Sequence, residues 1–341
     1  MLNNLETLSN LRGISGNEKL VRETIISMIK DYATNFSVDN LGNLIVFKKG
    51  KEKPKNKVLF SAHMDEVGFI VTSVCDDGLL TFDCVGGLQS GTVLGKRVIV
   101  GNNIKGVIGA KAIHLLKEDE RKTVQKFSDM RIDIGATSQE DALNMIMLGD
   151  EVTFDTKFEK FGSNKIISKA IDDRAGCAFM VYLIQQNLEY DCYFSFTVQE
   201  ETGCVGAKTV AYAVKPDISV AIESTASADL PNVPSEKTVC KQKLGPVISF
   251  MDRGSIYDKE LYIDILNWAK ENNIQCQPKQ ATTGGNESRS LQVCGGGSKI
   301  CAVSLPARYI HSGSNVVDIE DIESTKELLV LLTKKLPTKQ L

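Results

Sequence analysis

Val58-Leu59-Phe60-Ser61-Ala62-His63-Met64-Asp65 is the stretch that decides the fold. The run from Val58 is almost continuously apolar and ends in polar residues. It is strand-sized, and its lack of alternation predicts a strand covered on both faces, as in a parallel sheet. The same texture returns at Cys192–Gln199, Ile218–Glu223 and Lys299–Leu305, with a shorter strand at Leu44–Phe47. Helical patterns lie between these strands at Arg174–Asn187, from Ala207, over Tyr257–Asn272 and from about Asp318. Ser15-Gly16-Asn17-Glu18 has capping-box spacing ahead of Val21, Ile25, Met28, Ile29 and Tyr32, which predicts a first helix. This alternation argues an α/β fold with a mainly parallel sheet flanked by helices.

Between 67 and 161 the texture changes. Short β-rich stretches recur at Phe69–Val74, Arg97–Val100, Val107–Ile108 and Glu151–Phe154, punctuated by Gly and Asp. This reads as a compact β module inserted into the α/β domain. The expected division is therefore a discontinuous α/β domain of 1–66 and 162–341, interrupted by an inserted β-rich domain of 67–161.

Composition narrows the function. The chain has 341 residues, about two domains at roughly 150 residues each. It is 42% hydrophobic and 24% charged, which excludes a disordered chain, a collagen or a coiled coil. The formal net charge of −3 argues against nucleic-acid partners and anionic membranes. No apolar run reaches the roughly 18 residues that a membrane span needs. The first residues lack the basic and apolar regions of a signal peptide, and the nine Cys are scattered without a Cys-x-x-Cys pair. A reduced, cytoplasmic protein is expected. Neither GxGxxG nor GxxxxGK occurs.

In open α/β sheets, ligands bind beyond the carboxyl ends of the strands. Those ends carry His63 and Asp65, then Asp172 and Asp173, Glu200 and Glu201, Glu223, and finally His311. Only three His exist in the chain, and two are in this set. Converging carboxylates repel unless cations neutralise them. Two divalent ions balance His63, Asp172, Glu201, Glu223 and His311 when both imidazoles are neutral and one hydroxide is bound. Mixed nitrogen and oxygen ligands suit zinc or cobalt better than calcium. Two such ions ~3.5–4 Å apart, sharing a carboxylate and a water, form a hydrolytic centre. Asp172 is the natural bridge. Asp65 is too near His63 in sequence to share its metal comfortably, and suits fixing the His63 tautomer. Glu200 and Glu201 diverge on an extended chain, so one can bind metal while Glu200 acts as general base.

Singly, these residues have ordinary explanations: a core histidine, a solvated acidic pair, a helix N-cap at Asp173. Their coincidence at successive strand ends favours the metal centre. His114 lies in the β module with no acidic neighbour before Glu118 and reads as a non-ligand. The Cys read as core, and Ser61 and Ser312 lack a nucleophile elbow.

Four segments now carry a resemblance. They are Ser61–Phe69, Lys169–Gly176, Gln199–Ala207 and Pro306–Ser312, with Asp39–Asn43 and Gly245-Pro246 in support. Together they resemble the glutamyl-aminopeptidase and deblocking (tetrahedral, TET-type) aminopeptidase family of dinuclear metallopeptidases. Some members of that family carry a cellulase or endoglucanase name. The resemblance implies one metal held by Asp172, Glu201 and His311 and another by His63, Asp172 and Glu223. It implies Glu200 as base and Asp65 as the orienter of His63. It also implies that the inserted module is a small β-barrel or PDZ-like domain used in assembly, and that twelve subunits form a hollow shell. Two departures stand out. Glu223 occupies a position where the family usually has Asp. Gly284-Gly285-Asn286-Glu287-Ser288-Arg289-Ser290 replaces the usual Gly-Gly-Thr-Asp-Ala. Within it, Arg289 is either a contact for an acidic group or a surface residue.

The expected function is a metal-dependent aminopeptidase that removes N-terminal residues from short peptides, using a metal-bridged hydroxide with Glu200 as base. Its expected partners are peptide substrates and copies of itself. The alternatives are a related dinuclear amidohydrolase acting on N-acyl amino acids or glycans, and a non-catalytic oligomeric scaffold.

Overall fold

A computed structural model describes residues 1–341, Glu120 by its backbone alone. The Val58–His63 strand is buried along its whole length, as its unbroken apolar run requires. It lies between Cys192–Thr197 and Ile218–Ala226, both parallel to it, and Lys299–Arg308 continues the parallel set. Registration matters more than order here. Thr197 pairs with His63, and Ala221 pairs with Ser61, so Glu223 two residues on rises to the level of His63. Successive strand ends thus reach one rim of the sheet.

The sheet is mixed rather than wholly parallel. Asn35–Val38, Leu44–Lys48, Asn315–Asp318, Lys165–Ser168 and Glu159–Phe161 extend it antiparallel at both sides. Short connections explain the pairings of Asn35–Val38 with Leu44–Lys48, of Glu159–Phe161 with Lys165–Ser168 and of Lys299–Arg308 with Asn315–Asp318, because a tight hairpin can join only antiparallel neighbours. The helix Ile171–Ile184 is apolar almost all round and packs beneath the sheet with the N-terminal helices Leu2–Ser9 and Lys19–Ile29. Sequence periodicity missed Leu2–Ser9, which has no side-chain cap and too few turns to display a stripe.

The capping-box reading changes in detail. Ser15 does not cap the Lys19–Ile29 helix; its hydroxyl donates to Asp65 Oδ2 at 2.6 Å. Glu18 accepts from the Gly16 and Gln199 N–H groups instead. A buried carboxylate is a stronger acceptor than a helix terminus is a donor, so it captures the hydroxyl. Arg174, fully buried, ties this segment down by donating to the carbonyls of Leu8, Gly13 and Met64.

The β module is a closed antiparallel barrel of Gly68–Val74, Leu80–Val85, Arg97–Val100, Ile104–Ala110, Met130–Asp133 and Glu151–Phe154. Its interior is built on Phe69, with Phe82 and Phe154 packed edge-on at centroid distances of 5.0 and 5.6 Å. Closure leaves no unpaired edge in the sheet. Among the described residues, no helix is long and apolar enough to cross a membrane.

Candidate metal centre

His63, at the end of its strand, is 1% exposed. Its Nδ1 faces the Asp65 carbonyl at 3.0 Å. A carbonyl only accepts, so Nδ1 carries the proton and Nε2 presents its lone pair. That lone pair looks at Asp172 Oδ1 at 3.6 Å and Glu223 Oε2 at 3.7 Å. His311 repeats the device. Its Nδ1 faces the Gly87 carbonyl at 2.8 Å, leaving Nε2 3.4 Å from Asp172 Oδ2 and 3.6 Å from Glu201 Oε1. Asp172 therefore serves the two groups with opposite oxygens.

These separations are long for hydrogen bonds. They match the edge of a tetrahedron whose bonds are about 2.0–2.1 Å, which is about 3.3 Å. In each group, His63–Asp172–Glu223 and Asp172–Glu201–His311, the ligand atoms all lie within 4.8 Å of one another. Asp172 Oδ1 and Glu223 Oε1 are buried without a hydrogen-bond partner. Lone pairs converging on lone pairs need protons or cations between them, and this donor set fits divalent cations of the zinc type.

The proton alternative shows in the electrostatics of these side chains. Burial pushes the Glu201 carboxyl up to about 8 and Glu223 well above the usual carboxylate range. For His311 burial works downward, but hydrogen bonding to Asp172 and the charge of Glu201 outweigh it and lift the imidazole to about 10. His63 is raised for the same reason, by Asp172 and Asp65 against burial. Without a cation, protons gather where a cation would sit.

Each side chain has a local reason for its place. Asp172 and Asp173 lie at the start of the Ile171–Ile184 helix with non-helical angles, and Asp173 Oδ1 caps it by accepting from Gly176 N–H at 3.0 Å. Glu200 and Glu201 are not on an extended chain. The strand stops at Thr197, Gln199 has φ +56°, and the two glutamates ride a turn. That turn is clamped by Asp65, whose Oδ1 accepts from Glu200 N–H at 3.0 Å and Oδ2 from Glu201 N–H at 3.1 Å. The Asp65 carboxylate is farther from His63 Nδ1, at 3.4 Å, than its own carbonyl is. Glu200 Oε1 accepts from the Cys204 thiol at 3.0 Å, and burial raises the Glu200 carboxyl.

The barrel contributes the roof. Gly86 has φ +84°, and a Cβ there would lie 2.7 Å from Val67 Cγ1 and 3.2 Å from Glu201 Oε2. At Gly87 a Cβ would stand 3.1 Å from His311 Nδ1. Only glycine lets the backbone come this close. His311 itself has φ +55°, a region a non-glycine residue occupies at some cost.

A cavity of about 340 Å³ opens onto the centre, lined by His63, Asp172, Glu200, Glu223, Lys279 and His311 among others. Asn286, from the departing stretch, also lines it, and Glu287 is buried beneath the centre. Glu287 accepts from Thr197 Oγ1 at 2.7 Å. Arg289 is exposed and does not line the cavity, which places it on the surface. His114 is exposed on the barrel. Sequence reasoning missed Lys279, Gly86 and Gly87, whose positions depend on loops brought in from a distance. Gly86-Gly87 was visible as a turn signal but carried no hint of its neighbour.

The model of the family described as M42 glutamyl aminopeptidase matches residues 42–328. A protein of Acetivibrio thermocellus, provisionally named an aminopeptidase, is 40% identical over 332 residues, 97% of each chain. The TET aminopeptidase from Thaumarchaeota archaeon SCGC AB-539-E09 superposes with a TM-score of 0.94 at 33% identity, over 98% of this chain and 96% of that one. The TET1 peptidase of Pyrococcus horikoshii, described as assembling into a tetrahedron or a large octahedral shell, gives a TM-score of 0.86 at 35% identity, over 97% and 98%. With the family model spanning most of the chain, this protein belongs to the M42 glutamyl aminopeptidase family of metal-dependent peptidases.

Proposed function

We propose that the protein is an aminopeptidase working with two divalent cations, zinc or cobalt, in each subunit. His63, Asp172 and Glu223 would hold one, and Asp172, Glu201 and His311 the other. The observation that carries this reading is the pair of three-residue groups sharing Asp172 through its two oxygens at 3.4–3.7 Å. When bound, such ions polarise a carbonyl, acidify water and receive a free amine.

The chain's own residues do the rest. Glu200 lies on the cavity wall beside both groups. It takes the proton of the attacking water and returns it to the nitrogen of the leaving amine, so the carboxylate is regenerated in each cycle. Asp65 holds the turn that carries Glu200, and Cys204 holds one Glu200 oxygen. The Asp65 and Gly87 carbonyls keep both imidazoles in the tautomer that presents Nε2. The cavity admits the first residue of a peptide.

In this reading 67–161 is a separate inserted domain that serves self-association, with the tetrahedral dodecamer as the assembled form and the cytoplasm as its place. The departures at Glu223 and Gly284–Ser290 bear on metal affinity and on recognition, respectively.

The decisive experiment is Glu200→Gln. Metal content by plasma mass spectrometry should equal the parent's, while kcat on aminoacyl-anilides falls about 10²–10⁴-fold. A parental rate with metals retained would remove Glu200 from the chemistry.

A further inference from the structure

The two groups of the centre are held by different means. His63 ends the strand Val58–His63 and Glu223 lies within Ile218–Ala226, so the sheet itself places them. Asp172 and His311 sit on connections that leave the sheet. Asp172 lies at the irregular start of the Ile171–Ile184 helix, and His311 lies between the strands Lys299–Arg308 and Asn315–Asp318. Both connections are strained. Ala170, Tyr309 and His311 have φ of +53°, +60° and +55°. A non-glycine residue stays in this region only where its surroundings fix it.

One side chain fixes both connections. Asn315 opens the strand Asn315–Asp318, pairs with Ser168 across the antiparallel ladder, and is 2% exposed. Its Oδ1 accepts from Ile171 N–H at 3.1 Å. Its Nδ2 donates to the Tyr309 carbonyl at 2.8 Å and to the Ser312 carbonyl at 3.3 Å. This orientation is forced, because a flipped amide would aim donor at donor and acceptor at acceptors. Ile171 N–H is one of the first-turn donors that no helical carbonyl can reach, and Ala170 before it offers no side-chain cap. The amide thus reaches from the residue beside Asp172 to the carbonyls on either side of His311. Across that span His311 Nε2 stands 3.4 Å from Asp172 Oδ2. Being neutral, the amide holds the two ligands apart at a set distance without competing for a cation.

We propose that Asn315 is a positioning residue that sets the separation of His311 from Asp172, so that the Asp172–Glu201–His311 group is preformed for its ion. This rests on the two-cation reading. His63 and Glu223, held by strands, do not depend on it.

The test titrates zinc into the chelated parent, Asn315→Asp and Asn315→Ala against a fluorescent chelator. Asn315→Asp keeps the acceptor for Ile171 N–H and loses both donors. Its added charge would by itself tighten a cation, so weaker binding cannot come from charge. One of the two ions should bind about 10–100-fold more weakly in both variants, the usual effect of removing a group that orients a metal ligand, and the other should stay within about threefold. On a His311→Ala background no imidazole is left to position, and Asn315→Asp should change the remaining ion by less than about threefold. Equal weakening of both ions, tighter binding, or no change would overturn the inference. Hydrogen exchange read by mass spectrometry adds an arm that needs no variant. In the chelated parent the Ile171 amide should exchange at least about 100-fold more slowly than in an unstructured chain. Asn315→Ala should lose that protection and Asn315→Asp should keep it. Unprotected exchange in the parent would overturn the inference, whether or not a variant folds. A parent that binds fewer than two ions per subunit would refute the two-cation reading, while the exchange arm still decides for or against Asn315.

Discussion

Asp65→Asn separates two jobs that one carboxylate could do. The side chain is fully buried and accepts three hydrogen bonds, from Glu200 N–H, Glu201 N–H and the Ser15 hydroxyl. An asparagine keeps one acceptor oxygen. If that oxygen stays with Glu201 N–H and Ser15, the new amide group points its hydrogens at Glu200 N–H. One buried donor is then orphaned, at about 1–3 kcal/mol. The lost charge assistance on the remaining bonds adds about 1 kcal/mol. A total near 2–4 kcal/mol lowers Tm by about 4–8 °C at roughly 2 °C per kcal/mol. The same misplacement acts on the Glu200 turn, so kcat should fall about 10–100-fold, the usual effect of disturbing a residue that orients a metal site. Ser15→Ala removes only the 2.6 Å hydroxyl bond and should cost about 1 kcal/mol with a much smaller loss of rate. Scanning calorimetry, metal analysis and steady-state rates on one anilide make the comparison. If Asp65 acts on His63 alone, metal content falls first and added zinc restores the rate. If it clamps the turn, the rate stays low with metals bound. A variant within 1 °C and twofold of the parent would refute the assignment altogether.

Three further outcomes follow from the same geometry. Gly86→Ala puts a methyl into Val67 and Glu201 at a positive φ, and should weaken metal binding about tenfold or more in a competition titration with a fluorescent chelator. Phe194→Ala empties a fully buried site stacked on Phe60 at 5.5 Å and should cost about 3–5 kcal/mol in urea unfolding. In chelated protein Glu201 holds its proton to about pH 8 while the unfolded chain releases it near 4.5, so stability should fall as pH rises through that window. Added zinc should abolish the fall, as melting curves at pH 5.5 and 8 would show.

Much of the candidate site was readable because strand ends are short-range features. His63, Asp172, Glu201, Glu223 and His311 each follow a strand or precede a helix that its own residues announce. The sheet register then brings them to one rim. The Val58–Ala62 run was enough to predict a doubly covered strand, and the short β-rich stretches punctuated by Gly and Asp sufficed for the β module. What escaped reading was whatever a second segment decides. Glu200 and Glu201 look like strand residues, yet Asp65, 135 positions away, bends them into a turn by taking their N–H groups. Ser15 looks like a helix cap until a carboxylate from elsewhere takes its hydroxyl. Lys279 looks like any surface lysine, because nothing local says that the Thr282–Asn286 loop folds over it. The antiparallel flanks were hidden for a related reason: apolar runs state that a strand is covered, not which way its neighbour runs.

The Gly87 carbonyl belongs to the barrel, and the imidazole it holds belongs to the sheet. Under the proposed function, that single 2.8 Å contact makes the chemistry answerable to rigid-body position. A tilt of a few degrees between the two parts would swing the His311 ring away from Asp172, although no donor atom had been altered. The barrel cannot be loosened, shortened or exchanged as an indifferent appendage, and substitutions on its seam would read out as losses of turnover far from any reacting atom.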